Sequence, residues 1–383
     1  MRPPTDSDFS SRLRSAAVTA RVGLWLGVCF GVCFVTGLIS HYAQDPSQPV
    51  PFPVSPAWGY RVTQGLHVIT GTAAVPLLLV KLWTVFPRLF RRPERGWRPL
   101  LLDLAERGSV LVLVAAAIFQ LASGLANSAQ WYPWSFSFRT THYAVAWIAI
   151  GSVLVHVAVK LPVIRGALGA DVDDTTYDRP TATEQGVLSR RGLLRTTWLA
   201  AGVAVVATAG SQVPFLRKVS VLGVRSGEGP GGIPINKSAA AAKVTATATS
   251  ADYRLVMVNG GRQVSLGLAD LRAMPQVTHE LPIACVEGWS ASGSWTGVRV
   301  RDLLNLVGGG RGSDVRVTSL QQSGPFTTTV LQGNFADDDR TLLALALAGE
   351  PLSIDHGYPA RLIAPDRPGV LQTKWVARIE VSA

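Results

Sequence analysis

The chain has 383 residues, more than one compact domain usually holds, so length predicts two units or a domain with an accessory. Hydrophobic residues make up 48% and charged residues only 16%, well under the quarter typical of soluble chains, which excludes a wholly soluble protein. The net charge of +11 is lopsided: residues 251–383 hold 12 Lys+Arg and 13 Asp+Glu, leaving 24 basic and 12 acidic residues in 1–250. The basic excess therefore lies beside apolar runs, where positive-inside loops account for it, so the expected partner is the lipid bilayer and no nucleic acid is implied.

Five stretches free of Lys, Arg, Asp and Glu are long enough to span a bilayer: 22–43, 62–80, 108–127, 140–159 and 196–216. Cys29 and Cys33, one turn apart in the first, read as small packing residues. Arg12 and Arg14 in the N-terminal segment 1–20 and Arg21 beside it, the arginine-dense run from Arg88 to Arg98, and the loop 166–195 bounded by Arg165, Arg190 and Arg191 all read as cytoplasmic. The Pro-rich loop 44–61 and the aromatic belt Trp131, Tyr132 and Trp134 then face outward. An odd number of spans carries everything after residue 217 outside, which predicts a multi-pass protein of the cell membrane with an extracytoplasmic C-terminal domain.

The fifth span opens with Ser189-Arg190-Arg191-Gly192-Leu193-Leu194-Arg195, which resembles a twin-arginine export signal. Ala207-Thr208-Ala209 fits a signal-peptidase site, but the apolar run continues to Leu216, so an uncleaved anchor is expected.

Four histidines, His41, His67, His142 and His156, fall in or at the edge of the spans, where ionisable groups are functional candidates by default. His142 and His156 are 14 residues apart, about 21 Å of rise on nearly one helix face. Residues 21–165 resemble the four-helix b-type cytochromes of hydrogenases and formate dehydrogenases. That resemblance implies haem b, with His67 and His142 as iron ligands, and a second haem at His156. Because His41 sits at the outer end of its helix, His156 is left without an obvious partner.

Residues 217–250, rich in Gly, Ala, Ser, Thr and Pro, read as a flexible linker. From Tyr253 the pattern changes to short strands at 255–258, 263–266, 314–320, 326–331, 361–364 and 375–382. Helices are expected at 268–274 and 298–307, with another capped by Asp337–Asp339 and running through Leu347. The fold class is thus multi-domain: an all-α transmembrane bundle of five helices, the last at 196–216, followed by an α+β, β-rich domain over 251–383.

The C-terminal region contains, in order, Leu268-Ala-Asp-Leu-Arg272, Cys285-Val-Glu-Gly-Trp-Ser290, Trp295-Thr-Gly-Val298, Arg301-Asp-Leu-Leu304, Leu342 to Leu347, Gly349-Glu-Pro-Leu352, His356-Gly-Tyr-Pro-Ala-Arg361, Ala364-Pro365 and Lys374-Trp375. This collinear series resembles the molybdopterin domain of the sulfite oxidase family. The resemblance implies a molybdopterin molybdenum cofactor with Cys285 as its thiolate ligand and catalytic residue, and with His356, Arg361, Lys374 and Trp375 as cofactor contacts. A soft metal suits a thiolate, and cations suit the pterin's phosphate. Glu287 and Trp289 would shape the pocket. Phe326 stands where many relatives carry a tyrosine that lines the substrate pocket, which argues against sulfite as substrate. The domain is also short on its N-terminal side, where relatives place further cofactor contacts.

The expected function is a membrane-anchored molybdopterin oxidoreductase. It would transfer an oxygen atom on a small or sulfoxide-type substrate and exchange electrons with a membrane haem, quinone or other redox partner. The alternatives are a non-catalytic outer binding module on a membrane scaffold and a b-type cytochrome acting mainly as an electron carrier.

Overall fold

The computed structural model describes residues 4–5, 8–90, 96–210, 212–223 and 230–382; residues 91–95 of the arginine-rich loop and 224–229 of the expected linker lie outside it. The chain divides into two compact units, one of residues 1–37, 66–209 and 219–222, the other of 38–65, 210–218 and 223–383.

Five helices are long and apolar enough to cross a membrane: α1 (Ala16–Ala43), α2 (Gly59–Val85), α3 (Trp97–Ser128), α4 (Phe138–Gly169) and α5 (Arg190–Ala209). Val18, Val22, Cys29, Ala74 and Leu77 form one inward-facing core, while the large apolar Leu79, Leu102, Leu111, Leu154 and Leu199 stay exposed. That inversion of the soluble pattern is what a lipid-facing bundle requires. Cys29 packs as expected, and α3 and α4 lie against each other. The fifth helix stops at Ala209, seven residues before the expected end at 216, because Gly210 follows and Pro214 cannot continue the backbone ladder. Its two leading arginines are both engaged: Arg190 is buried against Asp178 and the Val172 and Asp174 carbonyls, and Arg191 pairs with Asp171 at 3.0 Å.

The second unit is built on two five-stranded sheets. The first runs in the order β2 (Arg262–Gly267), β1 (Arg254–Asn259), β10 (Val376–Val381), β5 (Val315–Ser319), β6 (Thr328–Leu331), antiparallel except for the parallel pair β1/β10. The second runs β3 (Val277–Ala284), β4 (Ser290–Arg299), β7 (Leu342–Leu347), β8 (Glu350–Pro351), with β9 (Arg361–Ile363) also on β7. The helices α7 (Leu268–Ala273), α8 (Val300–Leu306) and α9 (Gly333–Ala336) connect them, after the short α6 (Thr245–Ala248).

Leu342–Leu347 is a strand, not the tail of the helix expected after Asp337–Asp339. It pairs with β4, β8 and β9 and is buried on both faces, so its continuous Leu/Ala run shows no alternation by which a strand is recognised. The β4/β7 register shifts between Thr296 and Gly297, where Leu345 of β7 is the extra residue. A Cβ at Gly297 would sit 2.2 Å from the Leu343 carbonyl oxygen, so only glycine permits this approach.

The expected linker is packed from Ile233 onward. Ile233 is 1% exposed and enters the core of the second sheet, while Ala239, Ala242, Val244 and Ala248 enclose Trp375. Alanines with no side-chain entropy to lose can bury against an indole although they carry no sequence period. The loop between α1 and α2 also belongs to this unit. The Pro46 carbonyl accepts the N–H of Val330 at 2.7 Å, which covers the free edge of β6, and Phe52 and Val54 pack on the core of the first sheet.

Candidate cofactor sites

Cys285 sits in the turn between β3 and β4. Its N–H donates to the Trp289 carbonyl at 2.9 Å, its carbonyl accepts from Gly288 N–H at 3.1 Å, and Gly288 takes the left-handed φ of 79° that this turn needs. The thiol is 1% exposed, among Leu281, Ile283, Trp289, Trp295 and Ile363. Glu287 reaches back over it: its carboxylate accepts the Trp289 indole N–H at 3.0 Å and lies 3.7 Å from the Cys285 sulfur. Burial, reinforced by the Glu287 charge, pushes the thiol far up, so without a metal it stays protonated.

Two cations lie at this site. Arg361, on β9, donates from Nη1 to the His356 carbonyl at 3.1 Å and lies over the Trp295 ring at 5.4 Å, while its buried Nε has no hydrogen-bond partner among the described residues. Burial lowers its pKa to about 10. Lys374 donates to the carbonyls of Lys237 at 2.6 Å and Asp355 at 2.9 Å; burial, then the Arg361 charge, brings its pKa down to about 7. Two desolvated cations and an unsatisfied donor near a soft thiol fit an anionic, metal-bearing ligand, because such a ligand would restore the charge that burial takes away.

His356 and Trp375, expected as cofactor contacts, have no donor left over. The His356 ring lies 2.9 Å from the Ile233 carbonyl through Nε2 and 2.8 Å from the Ser353 hydroxyl through Nδ1, and burial lowers its pKa. Trp375 donates its indole N–H to the Ile354 carbonyl at 2.7 Å and is 1% exposed. Both pin the packed arm 233–250 to the sheet domain. Sequence reading missed Arg367, 2% exposed, which binds the carbonyls of Leu371 and Val330, leaves Nη1 unpartnered and has its pKa lowered by burial to about 9. Its only sequence signal is the turn string Asp366-Arg-Pro-Gly369. Phe326, the position that lacks a hydroxyl, is half-buried.

In the helical unit His67 on α2 and His142 on α4 come together, ring centroids 6.3 Å apart and planes at 65°. Nδ1 of His67 is 3.0 Å from the Cys33 carbonyl and 3.1 Å from the Thr36 hydroxyl, and Nδ1 of His142 is 3.0 Å from Ser123 Oγ. Each ring is therefore oriented through Nδ1 by its neighbours. His156, about 21 Å further along α4, is not part of this pair. Among the described residues no group of three or more His, Cys, Asp or Glu gathers to hold a metal.

Comparison with known proteins matches residues 241–383 to the oxidoreductase molybdopterin binding domain. The chain is similar to the YedZ1 protein of Azospira oryzae, whose name describes a protein-methionine-sulfoxide reductase subunit, at 31% identity over 30% of this chain and 43% of that one. It is similar to the mitochondrial sulfite oxidase of Drosophila melanogaster at 28% identity, over 34% of this chain and 27% of the relative. An oxidoreductase of Bacillus subtilis, YuiH, matches at 30% identity over 30% of this chain and 57% of its own length. The chain thus spans less than two thirds of each of these relatives. Among solved structures, the sulfane dehydrogenase SoxCD of Paracoccus pantotrophus aligns at 26% identity and a TM-score of 0.31, over 34% of this chain and 38% of that one. Residues 241–383 are an oxidoreductase molybdopterin binding domain, homologous to the sulfite oxidases.

Proposed function

We propose that the chain is a membrane-anchored molybdenum oxidoreductase that works outside the cell membrane on a sulfoxide-type substrate, with electrons supplied through the helical unit. The observation that carries this reading is the Cys285 turn with Arg361 and Lys374 buried nearby, inside the matched domain. The name of the Azospira relative favours a sulfoxide over sulfite, and Phe326 agrees, having no hydroxyl to offer sulfite.

When bound, the molybdenum cofactor supplies two-electron oxygen-atom transfer. Cys285 would be its thiolate ligand, which requires the thiol proton to leave. Arg361 offers its unpartnered Nε to an anionic group. Lys374, poised near neutrality, holds a proton at Nζ that an anionic neighbour would stabilise. Reduction of a sulfoxide consumes two electrons and two protons and releases a thioether and water, so a proton-holding group near the site has a use.

The helical unit is read as a haem-binding bundle with its N-terminus cytoplasmic. His67 and His142 would hold the haem iron, because their ring centroids lie 6.3 Å apart and both Nδ1 atoms are already tied by neighbouring groups. The Cβ position of Gly37 lies 3.2 Å from the His67 ring, and that of Gly124 lies 3.8 Å from the His142 ring, so small residues flank both imidazoles.

Metal analysis of the full chain made in a cofactor-competent host tests the proposal. About one molybdenum per chain is expected, lost in Cys285→Ser, as for a metal that depends on its protein ligand. A parent chain without molybdenum would refute the reading. A reduced-minus-oxidised spectrum lacking a Soret band would remove the haem and leave the molybdenum assignment standing.

A further inference from the structure

A segment far away in sequence packs against the sheet domain beside Cys285. Residues 44–60, between α1 and α2, belong to the same compact unit as Cys285. Ala57 packs against the cluster that contains Cys285, and Tyr60 packs with Ala43 against Ala284, the residue before it.

Both ends of the segment are pinned. Ser40, Gln44, Tyr60 and Gln64, each at most 7% exposed, form a closed hydrogen-bonded group at the outer ends of α1 and α2, with Ser40 Oγ 2.8 Å from the Tyr60 hydroxyl and Gln44 Nε2 donating to that hydroxyl at 3.0 Å. At the start of α2, Asp366 accepts the Tyr60 N–H and its own N–H donates to the Ala57 carbonyl at 3.2 Å. A carboxylate at a helix N-terminus satisfies an amide that no helical partner can reach.

Between these ends the domain grips the backbone of the segment. Gln332 donates to the carbonyls of Gln48 at 3.1 Å and Val50 at 2.9 Å and accepts from Phe52 N–H at 3.3 Å. Asn334 donates to the Phe52 carbonyl at 2.8 Å, and Arg340, clamped by Asp338, donates to Ser55 Oγ at 2.9 Å. Side chains that bind backbone groups fix the path of the segment whatever its sequence, which is how a wall differs from an accidental contact.

We infer that residues 44–60 are a fixed wall of the cysteine pocket, held there by Gln332, Asn334, Arg340 and Asp366, so that the segment joining α1 and α2 is part of the site. The wall shields the metal-free thiol from outside and retains whatever Cys285 ligates. Its retaining role rests on the molybdenum reading; its shielding role does not.

The test uses the full chain, produced without pterin cofactor, and follows labelling of Cys285 by a membrane-impermeant maleimide with peptide mass mapping, which separates it from Cys29 and Cys33. Replacing residues 47–56 by Gly/Ser repeats of equal length removes the grip, and Gln332→Ala/Arg340→Ala weakens it from the other side. Labelling at least about tenfold faster in the replacement and intermediate in the double variant is expected, because exposure tracks local opening. Hydrogen exchange at Val330 should rise with it while β4 and β7 stay protected. Labelling at the parent rate in the replacement overturns the inference, and so does acceleration seen only together with exchange throughout β4 and β7. In the loaded chain, faster loss of molybdenum from both variants supports the retaining role; retention equal to the parent's overturns that role and leaves the shielding result to stand alone.

Discussion

The cysteine site and the histidine pair are made in opposite ways. Cys285 rests on a turn whose walls come from β3, β4, β7 and β9 and from residues as distant in sequence as Ala57 and Ile233. His67 and His142 each stand on one helix, oriented by residues such as Thr36 and Ser123 on neighbouring helices. The first site depends on long-range closure of a sheet domain, the second on the rotation of preformed helices. Damage to packing should therefore disable the first and spare the second, and ligand substitutions should separate them cleanly.

The largest expected effect is at Cys285. Cys285→Ser should cut activity by more than the ~10–100-fold typical of losing a supporting residue at a metal, with the Soret band unchanged. On the proposed haem reading, His67→Ala or His142→Ala should do the reverse, abolishing the Soret band and leaving the molybdenum content intact, and His156→Ala should change neither. Metal analysis and difference spectra on the same samples check all four. Loss of molybdenum in His67→Ala would break the independence of the sites.

The same contrast governs what the sequence disclosed. The five helices were legible because a twenty-residue apolar run has few other uses, and Cys285 was legible because its motif sits in a collinear series. The pairing of His67 with His142 came from the resemblance to b-type cytochromes, and the two rings do lie 6.3 Å apart. What stayed hidden was closure. Leu342–Leu347 carries no alternation because both its faces are buried, and the alanines of 239–248 look like a tether until Trp375 is placed among them. Nothing local marks Gln332 or Arg340 as a grip on residues 48–55, since apart from the Ser55 hydroxyl their partners there are backbone groups that any sequence supplies. His356 and Trp375 were assigned to the cofactor by position, yet their nitrogens face Ile233, Ser353 and Ile354.

Packing damage gives a middle-sized test. Phe335, 1% exposed, fills the core of the first sheet beneath Arg367, whose guanidinium lies 5.8 Å from its ring centre. Phe335→Ala should destabilise the sheet unit by about 3–5 kcal/mol through lost burial and the cavity left behind. Thermal scanning read by molybdenum release should move down, while the temperature at which the Soret band is lost should stay where it is. Loss of both signals at one lowered temperature would mean the units fold as one.

The smallest expected effect is a pH slope in the metal-free chain. The Lys374 ammonium has a pKa of about 7 when folded against an ordinary 10.5, so the folded chain binds fewer protons than the unfolded one between those values. Stability should therefore rise with pH through that window, and the cost of burying the charge should be at its full extent below pH 7. Asp366 works in a separate window and with the opposite sign. Burial raises its pKa from 3.8 to about 6, so its contribution makes stability fall as pH climbs from 3.8 towards 6. Arg367 and Arg361, at about 9 and about 10, add to the upward slope only at higher pH, which confines the clean interval for Lys374 to pH 7–8.5. Within it the melting temperature of the sheet unit should climb by about 2–4 °C in the parent and stay level in Lys374→Met. In the cofactor-loaded chain the climb should disappear, because an anionic neighbour returns the ammonium towards its ordinary value; a climb of equal size with and without cofactor would place Lys374 outside the cofactor's reach.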